Sequence, residues 1–290
     1  MTGRWAGVWL LAVGSMLSGQ KGAQPACSKC GEWNLPQQPF RVYGNTYYVG
    51  PRGLGSILIT SDRGDVLIDG AIAESAVPIA DHIRQLGFRV EDVKLILNTH
   101  AHHDHAGGIA ALERMTGAEV VASSWSARVL KAGGVGADDP QYGDIRGIEP
   151  VRRVRVLHGN ETLHVGSIAV TAHATPGHTP GGTSWTWISC EAEKCLNMVY
   201  ADSLGAVSRA GWKFSQHPEV VASFEKSFRF LETVRCDVLI TPHPDGSNFQ
   251  DRMSGKLSGA GDGGDCRRLA EVGRKGLKQR LAAERSAGAQ

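Results

Sequence analysis

The sequence predicts an α/β fold of two similar halves, in which one sheet packs on another and helices cover the outside. Two observations predict it: each half runs from strand-like segments through a helix to a short buried strand, and a histidine-bearing loop follows each buried strand. A third is the lack of a Pro- or Ser-rich linker in mid-chain, which favours one domain over residues 27–290.

Composition limits the classes of function. The chain has 290 residues, of which 41% are hydrophobic and 21% charged, as is typical of a soluble globular protein. Lys and Arg number 31 against 29 for Asp and Glu, a net charge of only +2. This balance gives no electrostatic reason to expect nucleic acid or an anionic membrane as a partner.

Residues 1–26 have the pattern of a secretory signal peptide. Arg4 is followed by an uncharged, largely apolar run over residues 5–17. That run is shorter than the roughly 20 apolar residues that a membrane span needs, so we expect cleavage between Gly19 and Ala26 and no stable membrane anchor.

The first half begins with strand-like runs at residues 41–48, 56–60 and 66–68, each bounded by Gly, Asp or Asn. A helix is expected over residues 75–86. The nearly continuous apolar run at residues 93–97 suits a strand covered on both faces.

The second half repeats this order. Strands are expected at 151–157, 161–171, 184–188 and 198–201, then a helix at 218–234 and a strand at 238–241. A last helix over residues 266–283 has the apolar spacing of an amphipathic cover.

Export makes disulfides the expected state of the six cysteines. Six cysteines allow 15 pairings, but the spacing favours Cys190 with Cys195, Cys236 with Cys266, and Cys27 with Cys30. The last pair also has the spacing of a redox motif or of half a zinc knuckle, although a tail disulfide is favoured there.

The chemistry-bearing segment follows the buried strand of the first half. It holds His100, His102, His103, Asp104 and His105 within six positions. Neutral imidazole and carboxylate are ligands that zinc accepts, and a turn after a buried strand can aim several of them inward. The segment therefore predicts a metal site.

Two further histidines complete this set. His178 lies in a Pro- and Gly-rich turn at residues 175–182, and His243 follows the buried strand of the second half. With the first cluster they make two three-ligand sites, and His103 is expected beside the ligands or in solvent. The other histidines are expected to be structural: His82, His158, His164, His173 and His217.

At these residues, and from about Phe40 onward, the sequence resembles the metallo-β-lactamase superfamily. The resemblance implies a four-layer αβ/βα sandwich with metal at one edge of the two sheets. The pattern of His100, His102, Asp104 and His105 is common to the whole superfamily, including thiolesterases, lactonases and nucleases, so it indicates fold and metal better than substrate.

Sharper features resemble the third subclass of β-lactamases. They are the turn around His178, the sequence at 37–40, and residues 201–204, where other subclasses place a cysteine ligand. The resemblance implies two Zn²⁺ ions per chain and a small-molecule β-lactam substrate. The signal peptide predicts a periplasmic location, and a monomer is expected because nothing in the pattern suggests an exposed apolar seam. It assigns His100, His102 and His178 to one zinc. It assigns Asp104, His105 and His243 to the other.

The implied reaction needs no side-chain nucleophile, because zinc lowers the pKa of bound water to about 7. Asp104 would hold that water for attack on the lactam carbonyl, with Ser203 and Gln141 near the substrate. Trp33 either closes over the pocket or packs on the core. Arg209 or Lys213 could bind the substrate carboxylate, since Gly205 stands where several relatives carry a hydroxyl.

Three alternatives remain open on sequence. In the thiolesterase branch an aspartate at the end of this strand bridges two metals, so the site is a general hydrolase's if Asp202 faces the metals and a lactamase's if Ser203 does. A lactonase on the same fold is a related alternative. A non-enzymatic metal-binding protein is a third, and measurable turnover separates it from the enzymes.

Overall fold

The fold is described by a computed structural model that covers residues 1–3, 26–247, 249, 251, 254 and 264–287. The expected signal peptide lies almost wholly outside these described residues. Within them, no helix combines the length and the apolar character that crossing a bilayer requires.

Seven strands form the first sheet, and they stand in chain order. They are β1 (Phe40–Tyr43), β2 (Thr46–Tyr48), β3 (Ile57–Ile59), β4 (Asp65–Ile68), β5 (Val93–Leu97), β6 (Glu119–Ala122) and β7 (Val154–Val156). Strands β1 to β4 pair antiparallel, each with the next one in the chain, and β4 to β7 pair parallel.

The second sheet has five strands in the order β12-β11-β10-β9-β8. They are β8 (Thr162–Val165), β9 (Ile168–Ala174), β10 (Thr183–Glu191), β11 (Lys194–Tyr200) and β12 (Val238–Ile240). Only β11 and β12 pair parallel.

The helices lie outside the two sheets. They are α1 (Cys30–Trp33), α2 (Ala76–Gln85), α3 (His103–Ala106), α4 (Ile109–Thr116), α5 (Ser124–Ala132), α6 (Pro218–Thr233) and α7 (Asp265–Ala287). Each parallel strand pair needs a long connection, and α2, α4, α5 and α6 supply these crossovers. Gly117 and Gly133 end α4 and α5 in the left-handed conformation that glycine adopts at low cost.

Three apolar clusters fix the layer order. The middle cluster joins Ile57 and Leu97 of the first sheet to Trp185 and Met198 of the second, so the sheets pack face to face. A second cluster packs α2, α4 and α5 on the first sheet, and a third packs α6 and α7 on the other. The predicted four-layer sandwich of two similar halves is confirmed.

Several local predictions were wrong. The run predicted at 41–48 is two strands that turn at Gly44, and the run at 161–171 is a hairpin that turns at Gly166. The strand predicted at 151–157 belongs to the first sheet as β7 rather than to the second half. No element was predicted between residues 106 and 150, where α4, β6 and α5 lie.

The disulfide prediction is confirmed at all six cysteines. Cys27 is bonded to Cys30, Cys190 to Cys195, and Cys236 to Cys266. The second bond joins directly paired residues of β10 and β11, and the third ties the start of α7 to the loop before β12.

Candidate metal centre

The histidine-rich loop is held by a buried aspartate behind it. The Asp69 carboxylate accepts hydrogen bonds from the Thr99 amide at 2.8 Å, the Thr99 hydroxyl at 2.7 Å and the Asn98 side-chain amide at 3.2 Å. Trp185 of β10 donates its indole N–H to the Asn98 carbonyl. Both sheets therefore fix where the chain leaves β5, immediately before the first histidine.

Burial raises the pKa of Asp69 to about 8, although the hydrogen bonds from Thr99 oppose that rise. A carboxyl here is costly to ionise without its donors. Its role in the described structure is to position the loop, since its acceptors are used by residues 98 and 99.

The Pro- and Gly-rich turn brings His178 to the same place from the second sheet. Gly177 has a φ of +151°, and a Cβ there would lie 2.6 Å from the Phe224 ring. Ser227 of α6 donates a hydrogen bond to the Pro176 carbonyl at 2.7 Å. Helix α6 thus presses on the turn and sets the position of the imidazole.

Three imidazoles converge as the first predicted set. The ring centroids of His100, His102 and His178 are 4.8–5.1 Å apart. One ligand nitrogen of each lies within 4.8 Å of the others, and all three side chains are buried or nearly so. This is the spacing that three ligands of a single metal ion adopt.

Each of these imidazoles is hydrogen-bonded on its outer side. His100 Nδ1 lies 2.7 Å from Asp202 Oδ1, His102 Nε2 lies 3.0 Å from Asp139 Oδ2, and His178 Nδ1 donates to the Gly205 carbonyl at 2.8 Å. Such bonds fix the ring and the tautomer of a metal-binding histidine. They leave His100 Nε2, His102 Nδ1 and His178 Nε2 for a metal.

The second predicted set surrounds the Asp104 carboxylate. Asp104 Oδ2 lies 3.2 Å from His105 Nε2 and 3.3 Å from His243 Nε2. The rings of His105 and His243 are 4.8 Å apart, and the His105 ring lies 4.4 Å from that of His100. The two sets therefore adjoin, as two neighbouring metal ions require.

The protonation states suit metal ligation. Burial lowers the pKa of His100 well below its usual range, that of His105 to about 3 and that of His178 to about 4, so these imidazoles are neutral at pH 7. Burial opposes ionisation of Asp104, but His105 and His243 hold its pKa well below the usual value. Neutral imidazole and ionised carboxylate are the ligand forms that zinc binds.

One buried atom tests the fit directly. His100 Nε2 is fully buried and has no hydrogen-bond partner among the described residues. Leaving a buried polar nitrogen without a partner costs about 1–3 kcal/mol, and a metal ion at this point would remove that cost. The donor set therefore fits zinc.

A cavity of about 710 Å³ opens over these donors. Ser203 and Gln141 both line it, and Gln141 Nε2 lies 3.4 Å from His178 Nε2. Trp33 lines it too, with its ring 5.2 Å from that of His243, while also packing against the first-sheet core. Trp33 therefore packs on the core, as one alternative predicted, and also lines the cavity. Much of the remaining wall is apolar, from Ile145, Leu204, Val207, Leu269 and Val272.

The residues just after β11 bear on the question of register. Asp202 and Ser203 both line the cavity, where Ser203 is half-buried, and the Asp202 carboxylate contacts His100 Nδ1 on the outer side of that ring. Gly182 makes room for that carboxylate, because a Cβ there would lie 2.5 Å from Asp202 Oδ2.

The other histidines lie apart from the two ligand sets. His82 Nδ1 contacts the Val49 carbonyl at 2.8 Å, His173 stacks on Phe230, and His217 stacks on Trp212. His158 and His164 are exposed. His103 lines the cavity beside the ligands, whereas neither Arg209 nor Lys213 is in the described cavity wall.

Sequence reasoning missed the outer partners of the ligands and the part of the wall built by α7. Asp202 lies two residues after the end of β11, a position that the sequence could indicate. Asp139 and the Gly205 carbonyl lie in loops whose path no spacing predicts.

Comparison with known proteins agrees with this geometry. The family model of the metallo-β-lactamase superfamily matches residues 50–190. Among solved structures, the Rm3 metallo-β-lactamase is 49% identical with a TM-score of 0.86, and the alignment covers 90% of this chain and 100% of that one. MEM-A1, a subclass B3 metallo-β-lactamase from a soil metagenome library, is 45% identical with a TM-score of 0.84, covering 88% and 99%.

The chain belongs to the metallo-β-lactamase superfamily. Within it, solved structures described as B3 enzymes are similar to the chain over nearly their whole length.

Curated relatives match over shorter stretches. A hydroxyacylglutathione hydrolase of Anaeromyxobacter dehalogenans is 31% identical over 147 residues, and the uncharacterized protein YobT of Bacillus subtilis is 31% identical over 150. These matches cover 51% and 50% of this chain but only 44% and 61% of the two relatives.

Proposed function

We propose that the protein is a dinuclear zinc β-lactamase that hydrolyses the amide bond of β-lactam antibiotics and thereby confers resistance. The observation that carries the proposal is the cluster of donors beside one cavity. The ligand nitrogens of His100, His102 and His178 converge and each ring is supported from the outer side, and next to them His105 and His243 lie 3.2 and 3.3 Å from the Asp104 carboxylate. Bound zinc lowers the pKa of a water ligand to about 7 and polarises a carbonyl oxygen.

The first set, His100, His102 and His178, would hold one ion. The second, Asp104, His105 and His243, would hold the other. Asp104 is the catalytic side chain in this proposal, because its carboxylate is ionised and lies beside both ligand sets. It would accept a hydrogen bond from the attacking water and so orient that water toward the lactam carbonyl carbon.

The chain's other contribution is to bind and position the substrate. Ser203 and Gln141 both line the cavity and would offer polar side chains to the substrate carboxylate and amide. All six cysteines are in disulfides, so a thiolate nucleophile is not available in the oxidised protein. Attack by water without an acyl-enzyme is the consistent route.

The half-length match to a hydroxyacylglutathione hydrolase makes a thiolesterase the second candidate. In that branch the aspartate after this strand would bridge two metals. Here the Asp202 carboxylate contacts His100 Nδ1 at 2.7 Å, on the side of the ring away from Nε2. This position favours the lactamase.

Turnover of a carbapenem by the purified protein tests the proposal. We expect hydrolysis that is lost on chelation and returns with added zinc. In His243→Ala, added zinc should no longer restore hydrolysis, whereas His164→Ala, at an exposed histidine of β8, should behave as wild type. Two bound zinc ions without β-lactam turnover, together with hydrolysis of a hydroxyacylglutathione thioester, would overturn it in favour of the second candidate.

We also propose that residues 1–26 direct export to the periplasm and that the mature protein works there as a monomer. The apolar run after Arg4 supports export, and three disulfides suit an oxidising compartment. Mass spectrometry of the periplasmic fraction should find a mature N-terminus between residues 20 and 27, and light scattering should give the mass of one chain.

A further inference from the structure

The Cys27–Cys30 disulfide lies against the histidine loop. Cys30 Sγ is 4.0 Å from His103 Nε2 and 3.8 Å from Arg146 Nη1. His103 stands between two residues of the proposed zinc sites, and its two ring nitrogens face different groups: Nδ1 lies 3.9 Å from Asp104 Oδ1, and Nε2 faces this disulfide. The Cys-x-x-Cys pair therefore packs against the histidine loop rather than standing as an isolated tail.

The three donors have nearly the spacing of a metal site. Their ligand atoms all lie within 4.8 Å of one another. Tetrahedral zinc with Zn–S near 2.3 Å and Zn–N near 2.05 Å places sulfur and nitrogen ~3.6 Å apart and two sulfurs ~3.8 Å apart. The sulfur–nitrogen distance to Cys30 is already close to this value. Only the bonded sulfurs, at 2.04 Å, must separate.

We propose that Cys27, Cys30 and His103 form a third, redox-controlled metal site, which takes a zinc ion only after the disulfide is reduced. A dithiol reductant is oxidised to its disulfide, the Cys27–Cys30 bond breaks, and each cysteine gains one electron and one proton. Zinc then displaces both thiol protons to solvent, and the two thiolates balance its charge. Arg146, beside Cys30, favours the thiolate form.

The Cys27–Cys30 disulfide differs from the other two disulfides in its accessibility and its location. Cys27 and Cys30 are half-buried, so a reductant can reach them. Cys236 and Cys266 are buried. Cys190 and Cys195 are exposed on the hairpin of β10 and β11, and no other His, Asp or Glu of the described residues completes a metal-binding group with them.

Zinc content in the two redox states tests the site. The purified, zinc-loaded protein is treated with or without a dithiol, freed of excess metal by gel filtration, and analysed for zinc and free thiols. We expect the reduced protein to hold one more zinc per chain than the oxidised protein. Cobalt added in place of zinc should give a thiolate-to-cobalt charge-transfer absorption in the reduced protein only.

Variants separate this site from the other disulfides. The double change Cys27→Ser with Cys30→Ser should remove both the extra zinc and the absorption, whereas Cys190→Ser with Cys195→Ser should keep both. His103→Asn should lower the affinity for the extra zinc ion by on the order of tenfold or more, since one of the three ligands is lost.

An unchanged zinc content on reduction, or an extra zinc that survives loss of Cys27 and Cys30, would overturn the proposal. The proposed β-lactamase function is judged separately, from the two zinc ions and the turnover of the oxidised protein.

Discussion

The histidine–aspartate contacts show how single residues prepare this centre for metal. Asp202 is fully buried, contacts His100 Nδ1 at 2.7 Å, and has its pKa raised by burial to about 6. A carboxylate behind an imidazole raises the basicity of the ligand and fixes its orientation. We therefore expect the affinity of the proposed His100 site for zinc to depend on Asp202, which supports a ligand from behind.

Asp202→Asn tests this dependence. The change keeps the shape and a hydrogen-bond acceptor but removes the charge, so we expect zinc affinity at the His100 set to fall by roughly 10–100-fold while the Asp104 set keeps its ion. Competitive chelator titration followed by zinc analysis measures both affinities. Glu219→Gln, at an exposed carboxylate paired with a structural histidine, is the control. Selective loss of the second ion instead would mean that Asp202 bridges the metals.

At the scale of elements, the sequence predicted the helices and strands whose own apolar pattern indicates which face is buried. The apolar run of β5 and the histidines after it carry their own signal, and the sequence placed all six candidate ligands in loops after strands, where the structure brings them together. The elements α4, β6 and α5 were missed because segments of four to nine residues give weak periodicity. Strand β7 was assigned to the wrong half because its sheet depends on pairing with β6, far from it in sequence.

Helix α7 shows what an amphipathic pattern leaves out. Its spacing predicted a cover for the core, and Leu277 does pack there. The same helix also presents Val272, Gly273 and Gly276 to the cavity. Its position is fixed by the Cys236–Cys266 bond and by Arg274, which pairs with Glu225 and Glu232 of α6. The apolar pattern of a helix does not indicate whether an exposed apolar side chain faces bulk solvent or lines a substrate cavity.

Val272→Asp tests the role of α7 as a substrate wall. Val272 is 64% exposed in the cavity. A charge there should disfavour an apolar substrate group by roughly 1–1.5 kcal/mol, so KM for a penicillin with an aromatic side chain should rise about tenfold with kcat little changed. Gln279→Asp adds the same charge at an exposed position of α7 outside the described cavity wall, and it should leave KM unchanged. Equal effects of both variants would contradict the assignment.

For the molecule as a whole, the metal centre joins the two halves. His100, His102, Asp104 and His105 follow a strand of the first sheet, whereas His178 and His243 follow strands of the second. Each ion would therefore bridge both sheets, and binding to the folded state alone would stabilise the whole fold.

Metal removal should accordingly lower the melting temperature. Zinc binding at each site should raise the free energy of unfolding by about 4 kcal/mol when the free zinc concentration is a thousand times Kd. At roughly 2–4 °C per kcal/mol, chelation should lower Tm by roughly 10 °C or more, and added zinc should restore it. Differential scanning calorimetry measures this, with His164→Ala as the matched control. A Tm that chelator leaves unchanged would show that the folded state holds no metal.

The metal-free protein should also lose stability in mild acid. Five imidazoles have pKa values lowered by burial, so they stay neutral in the folded state but bind protons in the unfolded chain below about pH 6.5. Three carboxyls have pKa values raised by burial and act in the opposite sense, because the folded state binds their protons first. The imidazoles are His100, His103, His105, His173 and His178, and the carboxyls are Asp65, Asp69 and Asp202.

The unfolded chain thus binds an excess on the order of one to two protons between pH 6 and 5, and the free energy of unfolding should fall by roughly 1.4–2.7 kcal/mol for each pH unit lowered. Above pH 6.5 the imidazoles no longer titrate, and Asp69, whose pKa is about 8, makes stability fall again as pH rises. Urea unfolding measured across this pH range should show that the free energy of unfolding passes through a maximum. In His105→Asn the free energy of unfolding should depend less steeply on pH between pH 6 and 5, by the equivalent of about one bound proton. The reason is that His105 has a pKa of about 3 in the folded state and binds a proton only on unfolding in this range, and the variant lacks this group. A slope equal to that of the wild type would mean that the His105 imidazole is already charged in the folded, metal-free protein.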